Sequence, residues 1–179
     1  MAETAHAGGD RMRAMAAEME GRDLWAELFE LRDEQRARAK DSVWLVRGDD
    51  LPWQNNAQGI MRWYMHPNLK SPCISTLNIF VQEIPPGSRS GRMQYPGNMV
   101  MFIMAGEGYT MVDGRKHHWA KGDVVQIPVK PDGVVFQHFN SSDEHPCRFI
   151  CAEPNTVHSA GLDRHGAFEQ MEKSPDYKA

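Results

Sequence analysis

The chain has 179 residues, of which 41% are hydrophobic and 25% charged, and it carries a net charge of −4. That length and apolar fraction suit one domain built on a single core with a terminal appendage, and the acidic balance without a basic block excludes a typical nucleic-acid partner. No apolar run approaches the roughly 20 residues that span a bilayer, and the opening MAETAHAGGDRMR lacks the apolar segment of a secretory leader, so neither membrane nor export is expected and a cytoplasmic location is.

Residues 11–40 are rich in Ala, Glu, Arg and Met, contain no Pro, and are predicted helical, with Gly21 dividing them into two segments. In the second, Leu24, Leu28 and Leu31 recur at i, i+4 and i+7, and Trp25 and Phe29 widen the stripe. Such a stripe calls for burial, against either the barrel of its own chain or a neighbouring subunit, and a homo-oligomer is the expected assembly. From Ser42 onward the pattern changes to short β-like runs separated by Pro, Gly, Asn and Asp. Strands are predicted at 42–46, 61–66, 74–84, 99–104, 108–112, 123–127, 134–139 and 147–152. Val112-Asp113-Gly114-Arg115 reads as a tight hairpin turn and Lys121-Gly122-Asp123 as the next turn. Many short strands with turn signals between them indicate an all-β antiparallel sandwich or barrel. The tail after Glu153 reads as loop and short helix. The expected divisions are a helical extension over 1–41, a β-barrel over 42–154 and a C-terminal tail over 155–179. Cys147 and Cys151, four apart in one strand, share a face; with Cys73 they make an odd number, too sparse for a disulfide scaffold, and read as reduced thiols.

Two stretches carry a recognisable frame. The first is Gly87-x5-Met93-Gln94-Tyr95-x3-Met99-x6-Gly106; the second is Gly122-x5-Pro128 followed by Gly133-x2-Phe136-x3-Asn140. Their spacing resembles the two motifs of the cupin family, and Pro85-Pro86-Gly87-Ser88-Arg89-Ser90-Gly91-Arg92 with Gln137-His138-Phe139-Asn140 is similar to its gentisate-dioxygenase-like branch. The resemblance implies a single-domain jelly-roll barrel, the double-stranded β-helix of that family, preceded here by the helical extension. Members of that branch typically open aromatic rings or cleave C–C bonds with one Fe(II) held by three His. The family usually places His, His and Glu where this chain has Met93, Tyr95 and Met99, and its last His where this chain has Phe136. The turn-shaping Gly, Pro and Asn residues are present and the four metal ligands are not. Either the usual metal is absent, or other residues hold one.

Alternation along strands puts Met93 with Tyr95, Met99 with Met101 and Ile103, and Phe136 with His138, each set on one face. The family's ligand positions point into the barrel, so the resemblance implies an interior of thioether, aromatic and aliphatic groups, with Tyr95 and His138 as its polar members. Apolar pockets with a few convergent polar groups are typical small-molecule sites. Met93, Met99, Met101 and Phe136 are therefore expected to contact a small hydrophobic or aromatic ligand, with Arg89 and Arg92 at the mouth placed to pair with a substrate carboxylate. Non-haem Fe(II) needs imidazole and carboxylate, which Met93, Met99 and Phe136 cannot supply; Cu(I) accepts thioethers, and His138 with His66 is the fallback for an altered iron or copper site.

Three functions compete. One is a metal-independent enzyme of the lyase, isomerase or decarboxylase type, acting on a small aromatic or conjugated carbonyl or carboxylate compound with Tyr95 and His138 as acid and base; a histidine's ordinary pKa lies near working pH. The motifs show no carboxylate to orient the imidazole. The second is a binding module without turnover, and the third an oxygenase with a non-standard ligand set.

Overall fold

A computed structural model describes residues 2–72, 74–155 and 169–178, and Cys73 and the greater part of the tail lie outside the described residues. Chain contacts divide it into two units, Met1–Ser42 and Val43–Ala179. The first unit holds two helices, α1 (Ala2–Met19) and α2 (Leu24–Lys40). Gly21 has φ +72, a left-handed conformation that ends α1 at little cost only for glycine. Asp23 then caps α2, accepting a hydrogen bond from the Ala26 N–H at 3.0 Å. No residue of α2 is buried, so Leu24, Leu28 and Leu31 stand exposed on this helix.

Among the described residues the second unit contains eleven strands: β1 (Gln54–Asn56), β2 (Gly59–Met65), β3 (Leu77–Ile84), β4 (Arg92–Tyr95), β5 (Met99–Ala105), β6 (Glu107–Val112), β7 (Arg115–Ala120), β8 (Val124–Ile127), β9 (Val134–Asn140), β10 (Cys147–Pro154) and β11 (Glu169–Glu172). They form two antiparallel sheets, in the orders β1-β2-β3-β10-β5-β8 and β11-β4-β9-β6-β7. The two sheets face each other across a core of Ile84, Met101, Ile103, Ile127, Val134 and Phe149, each 2% exposed or less. Inward residues alternate with outward ones, as in Met99, Met101 and Ile103 of β5. This is the all-β jelly roll expected from the sequence.

The differences lie at weakly patterned segments. Residues 42–46 are not a strand; only Val43 bridges to Pro72. The run predicted from 74 starts pairing at Leu77. β7, of sequence RKHHWA, is polar except for Trp119 and Ala120 because it is an edge strand with every residue but Trp119 exposed, and charged edges resist unwanted pairing. The tail also departs from loop and helix: β11 pairs with β4.

Two residues within the motif stretches explain their own presence. Asn140 donates from its amide to the carbonyls of Ile84, Pro85 and His145 at 2.8–3.1 Å and accepts from the Ser142 N–H at 3.0 Å, tying the ends of β3 and β9 to the loop between β9 and β10. Gly97 has φ +97, and a Cβ there would lie 2.0 Å from the Pro128 carbonyl oxygen. Only glycine allows the chain to cross from β4 to β5, and that crossing sets Tyr95 and Met99 on either side of the barrel interior.

Candidate active site

One end of the barrel interior is unfilled. A cavity of about 290 Å³ opens there, roughly twice the ~150 Å³ that accommodates a benzene in a protein core. Its wall draws on both sheets: Trp63 of β2 and Phe80 of β3 stand with Met93 and Tyr95 of β4, Met99 of β5, and Phe136 of β9. His138, Cys151 and Glu153 complete the chemically distinctive part. Met93 sits opposite Phe136 in the β4–β9 register, so these motif positions are direct neighbours.

His138 is 1% exposed and is packed against Phe136 and Phe149, each with ring centroids 5.1 Å away. Removal from water between those rings pushes its pKa down to about 3, so the imidazole is neutral. Its backbone is clamped by Ser90, whose hydroxyl oxygen accepts from His138 N–H at 3.0 Å and whose own N–H donates to the His138 carbonyl at 2.9 Å. On the ring, Nδ1 lies 2.9 Å from Thr110 Oγ1, and the Trp119 indole N–H donates to that same oxygen at 3.0 Å. The indole can only donate. The threonine hydrogen needs an acceptor, and Nδ1 is the one within reach. With Thr110 donating to Nδ1, the chain runs Trp119 to Thr110 to His138 and assigns the imidazole hydrogen to Nε2. In this tautomer His138 is a neutral hydrogen-bond donor at Nε2.

Glu153, 8% exposed, is the carboxyl group missing from the motifs. It ends the inward row Cys147, Phe149, Cys151, Glu153 of β10, directly opposite Asn78 of β3. Burial raises its pKa, opposed by hydrogen bonds from Asn78, whose amide donates at 3.3 Å, and from the Tyr95 hydroxyl. A carboxyl so placed has its proton affinity drawn toward neutral pH, where general acids and bases work best. Period-2 alternation from Cys147 could have found it. The motif frame ends at Asn140 and does not reach so far.

The other predicted site residues separate clearly. Tyr95, Met93, Met99 and Phe136 line the cavity with His138. Met101 points inward on the same face as Met99 but is wholly enclosed in the core and does not line the cavity. Arg92 alternates with Met93 and so faces away from the interior, its guanidinium 2.9 Å from Glu172 of β11. Arg89 is exposed and outside the wall. His66 follows β2, packs edge-on against Trp63 at 4.9 Å, and accepts from the Asn68 N–H through Nδ1 at 3.2 Å; it does not line the cavity beside His138. Cys147 and Cys151 are buried free thiols, and burial pushes Cys147 up to about 12 and Cys151 upward as well, so neither is a ready nucleophile.

The family-model description that matches is "Cupin domain", over residues 80–153, which run from β3 to β10 and include both motif stretches. Residues 80–153 are thus similar to a cupin domain. Among solved structures, a cupin-like protein of Thermotoga maritima matches with a TM-score of 0.51 and 18% identity, covering 74% of this chain and 90% of that one. The polyketide cyclase RemF of Streptomyces resistomycificus matches with a TM-score of 0.52 and 13% identity, covering 63% and 79%. Both establish the shared fold. A 5-aminosalicylate 1,2-dioxygenase of a Comamonas species is 27% identical over 110 residues, 62% of this chain; the chain spans only 28% of that relative's length.

Cupins often hold a metal ion, and the residues here do not fit the usual one. At the family's four ligand positions, two thioethers, a phenol and a phenyl ring face the cavity. Among the described residues no three His, Cys, Asp or Glu side chains converge as a metal site. Among those described residues, too, no helix is long and apolar enough to cross a membrane.

Proposed function

We propose that this cupin cavity binds a small aromatic or conjugated carbonyl compound and moves a proton on it, by an isomerase- or lyase-type reaction that draws on no metal ligand set. The observation that carries the reading is that Glu153, Tyr95 and His138 all line one largely apolar cavity, with the Tyr95 hydroxyl bonded to the Glu153 carboxyl group. In this scheme the Glu153 carboxylate takes the hydrogen from a carbon next to, or conjugated with, the carbonyl. The C–H electron pair moves toward the carbonyl oxygen, and His138 Nε2–H donates to that oxygen as negative charge grows. A neutral imidazole suits the task because a donor of matched acidity stabilises an enolate without having to give up its hydrogen. Glu153 then returns the proton to another carbon. Tyr95 positions the carboxyl group through its hydroxyl. The base role expected for His138 passes to Glu153, and His138 becomes the donor.

Similarity to a 5-aminosalicylate dioxygenase supports an aromatic ligand. Its named oxygenase chemistry is not part of the proposal, because the donor set fits iron poorly. The test is deuterium incorporation from D2O into aryl and conjugated ketones, followed by NMR with chelator present. Exchange should be catalysed by the wild type and fall by roughly 10²–10⁴-fold in Glu153→Gln. Activity that appears only on adding Fe(II) would favour the oxygenase, and saturable binding without exchange would favour a binding module.

A further inference from the structure

The cavity wall contains no lysine or arginine among the described residues. This is not a shortage of cations nearby, since four arginines lie on the strands and loops around it. Each is turned away. Arg62 alternates with the cavity residues Met61 and Trp63, and its guanidinium lies 4.3 Å from the Trp53 ring centroid. Arg148 pairs with Glu83 on the outer side of β10 and β3, and Arg92 with Glu172. Arg89 is exposed. The amide side chains that reach the cavity, Asn56, Gln58, Gln82 and Gln170, bring no charge; Gln82 donates to the Gln58 carbonyl at 2.8 Å and Gln170 to the Glu172 carbonyl at 2.6 Å.

Among the described residues the interior therefore offers one carboxyl group, neutral donors in His138 and the side-chain amides, and aromatic and thioether surface. A carboxylate entering it would lose its water without gaining a cation from the described residues, and would sit in the same low-dielectric space as Glu153. Two carboxylates in such a space cannot both stay ionised. A carbonyl or phenol oxygen meets the opposite situation. It needs only a donor, and His138 Nε2 supplies one.

We infer that the cavity selects an uncharged ring compound bearing a ketone, aldehyde or phenol oxygen, and discriminates against the corresponding carboxylate. The inference rests on the proposed function and narrows its substrate class, removing the acids that the sequence allowed and the partnership of Arg89 and Arg92 with them. It also separates the cavity from any site that would take an aminosalicylate, which carries a carboxylate.

A matched pair of probes decides it: 2-hydroxyacetophenone, a neutral hydroxyaryl ketone, and salicylate, its carboxylate counterpart. Binding is measured by titration calorimetry at pH 7.5 in two buffers of different ionisation enthalpy, which also reports protons taken up. The ketone should bind at least about tenfold more tightly, a difference of about 1.4 kcal/mol. Glu153→Gln should narrow the gap by removing the competing acid, and should not close it, because no cation is added. Equal or tighter binding of salicylate overturns the inference while leaving the cavity as an aromatic site. Binding of neither compound overturns both that reading and this one.

Discussion

Thr110 Oγ1 and His138 Nδ1 lie 2.9 Å apart inside the barrel, and this contact fixes which edge of the imidazole can face a ligand. Thr110 is fully buried on β6, opposite His138 of β9 in the strand register, so the contact is built into the sheet. Thr110→Val keeps the shape and removes the hydroxyl. It strands Nδ1 and the Trp119 indole hydrogen together, so the protein should lose about 1–3 kcal/mol of stability. Denaturant unfolding measures that loss. Nitrogen NMR of labelled histidine should show Nε2 protonated in the wild type, and a mixed tautomer population in the variant. A wild-type ring protonated at Nδ1 would sink the donor assignment.

Acid should destabilise the protein through the same histidine. Its folded pKa, about 3, lies below the ordinary value of 6.5, so the unfolded chain binds the extra proton between those limits. Stability is then complete above pH 6.5 and falls as the pH drops toward 3, with a slope approaching about 1.4 kcal/mol per pH unit. His138→Asn should be less stable at pH 7 yet lose this part of the slope. Chemical unfolding of both proteins from pH 7 down to 4 makes the comparison; parallel curves would count against a buried neutral imidazole.

Glu153 has the opposite sign. Its folded pKa is raised above the ordinary 4.5, so the folded state holds the proton more tightly than the unfolded one. The stabilisation is present below pH 4.5 and disappears as pH rises through the folded value. Glu153→Gln should therefore gain stability relative to the wild type as pH increases from 4.5, and then level off. A stability difference that does not change with pH would show that burial leaves this carboxyl unperturbed.

Sequence and structure agree where local chemistry determines the outcome. The Gly, Pro and Asn frame identified the barrel because such residues answer backbone demands, as the Asn140 amide shows and as Gly106 shows, where a Cβ would lie 2.7 Å from the Cys147 Cβ. Period-2 alternation paired Met93 with Tyr95 and Phe136 with His138, and the family resemblance turned both pairs inward, where they line one cavity. What escaped were relations between distant strands. Glu153 meets Tyr95 only because β10 and β4 lie in facing sheets, and Thr110 meets His138 only through the β6–β9 register. The polar edge strands β7 and β11 carry no apolar alternation to reveal them, since little of their surface is buried. The arginines at the motif mouth misled for a related reason: charge in a loop or on a strand says nothing of which way it faces.

Burial should also silence the cavity thiol. Cys151 is 1% exposed and its pKa is raised, so little thiolate forms at neutral pH. In a Cys73→Ser background, a bulky maleimide should label the folded protein at least about 10²-fold more slowly than the same protein in denaturant, because reaction must wait for opening of the barrel. Rapid labelling of folded protein at Cys151 would mean that the cavity admits bulky polar reagents.

If the barrel retains the family's frame and lacks only its ligands, restoring them should restore metal binding. Met93, Tyr95 and Phe136 all line the cavity, and Met93 and Phe136 are paired neighbours on adjacent strands. The triple variant Met93→His, Tyr95→His, Phe136→His places three imidazoles at the positions where the family's histidines stand, a set suited to divalent iron, cobalt or nickel. Without metal it should be less stable than the wild type, because polar rings replace apolar contacts and one hydrogen bond to Glu153 is lost. With metal it should recover, since an ion that binds only the folded state raises Tm in proportion to the logarithm of its concentration. Elemental mass spectrometry after gel filtration should find about one equivalent more metal per chain than in the wild type handled identically. A variant that folds but gains no metal would mean that replacement of the ligands was accompanied by a change in barrel geometry.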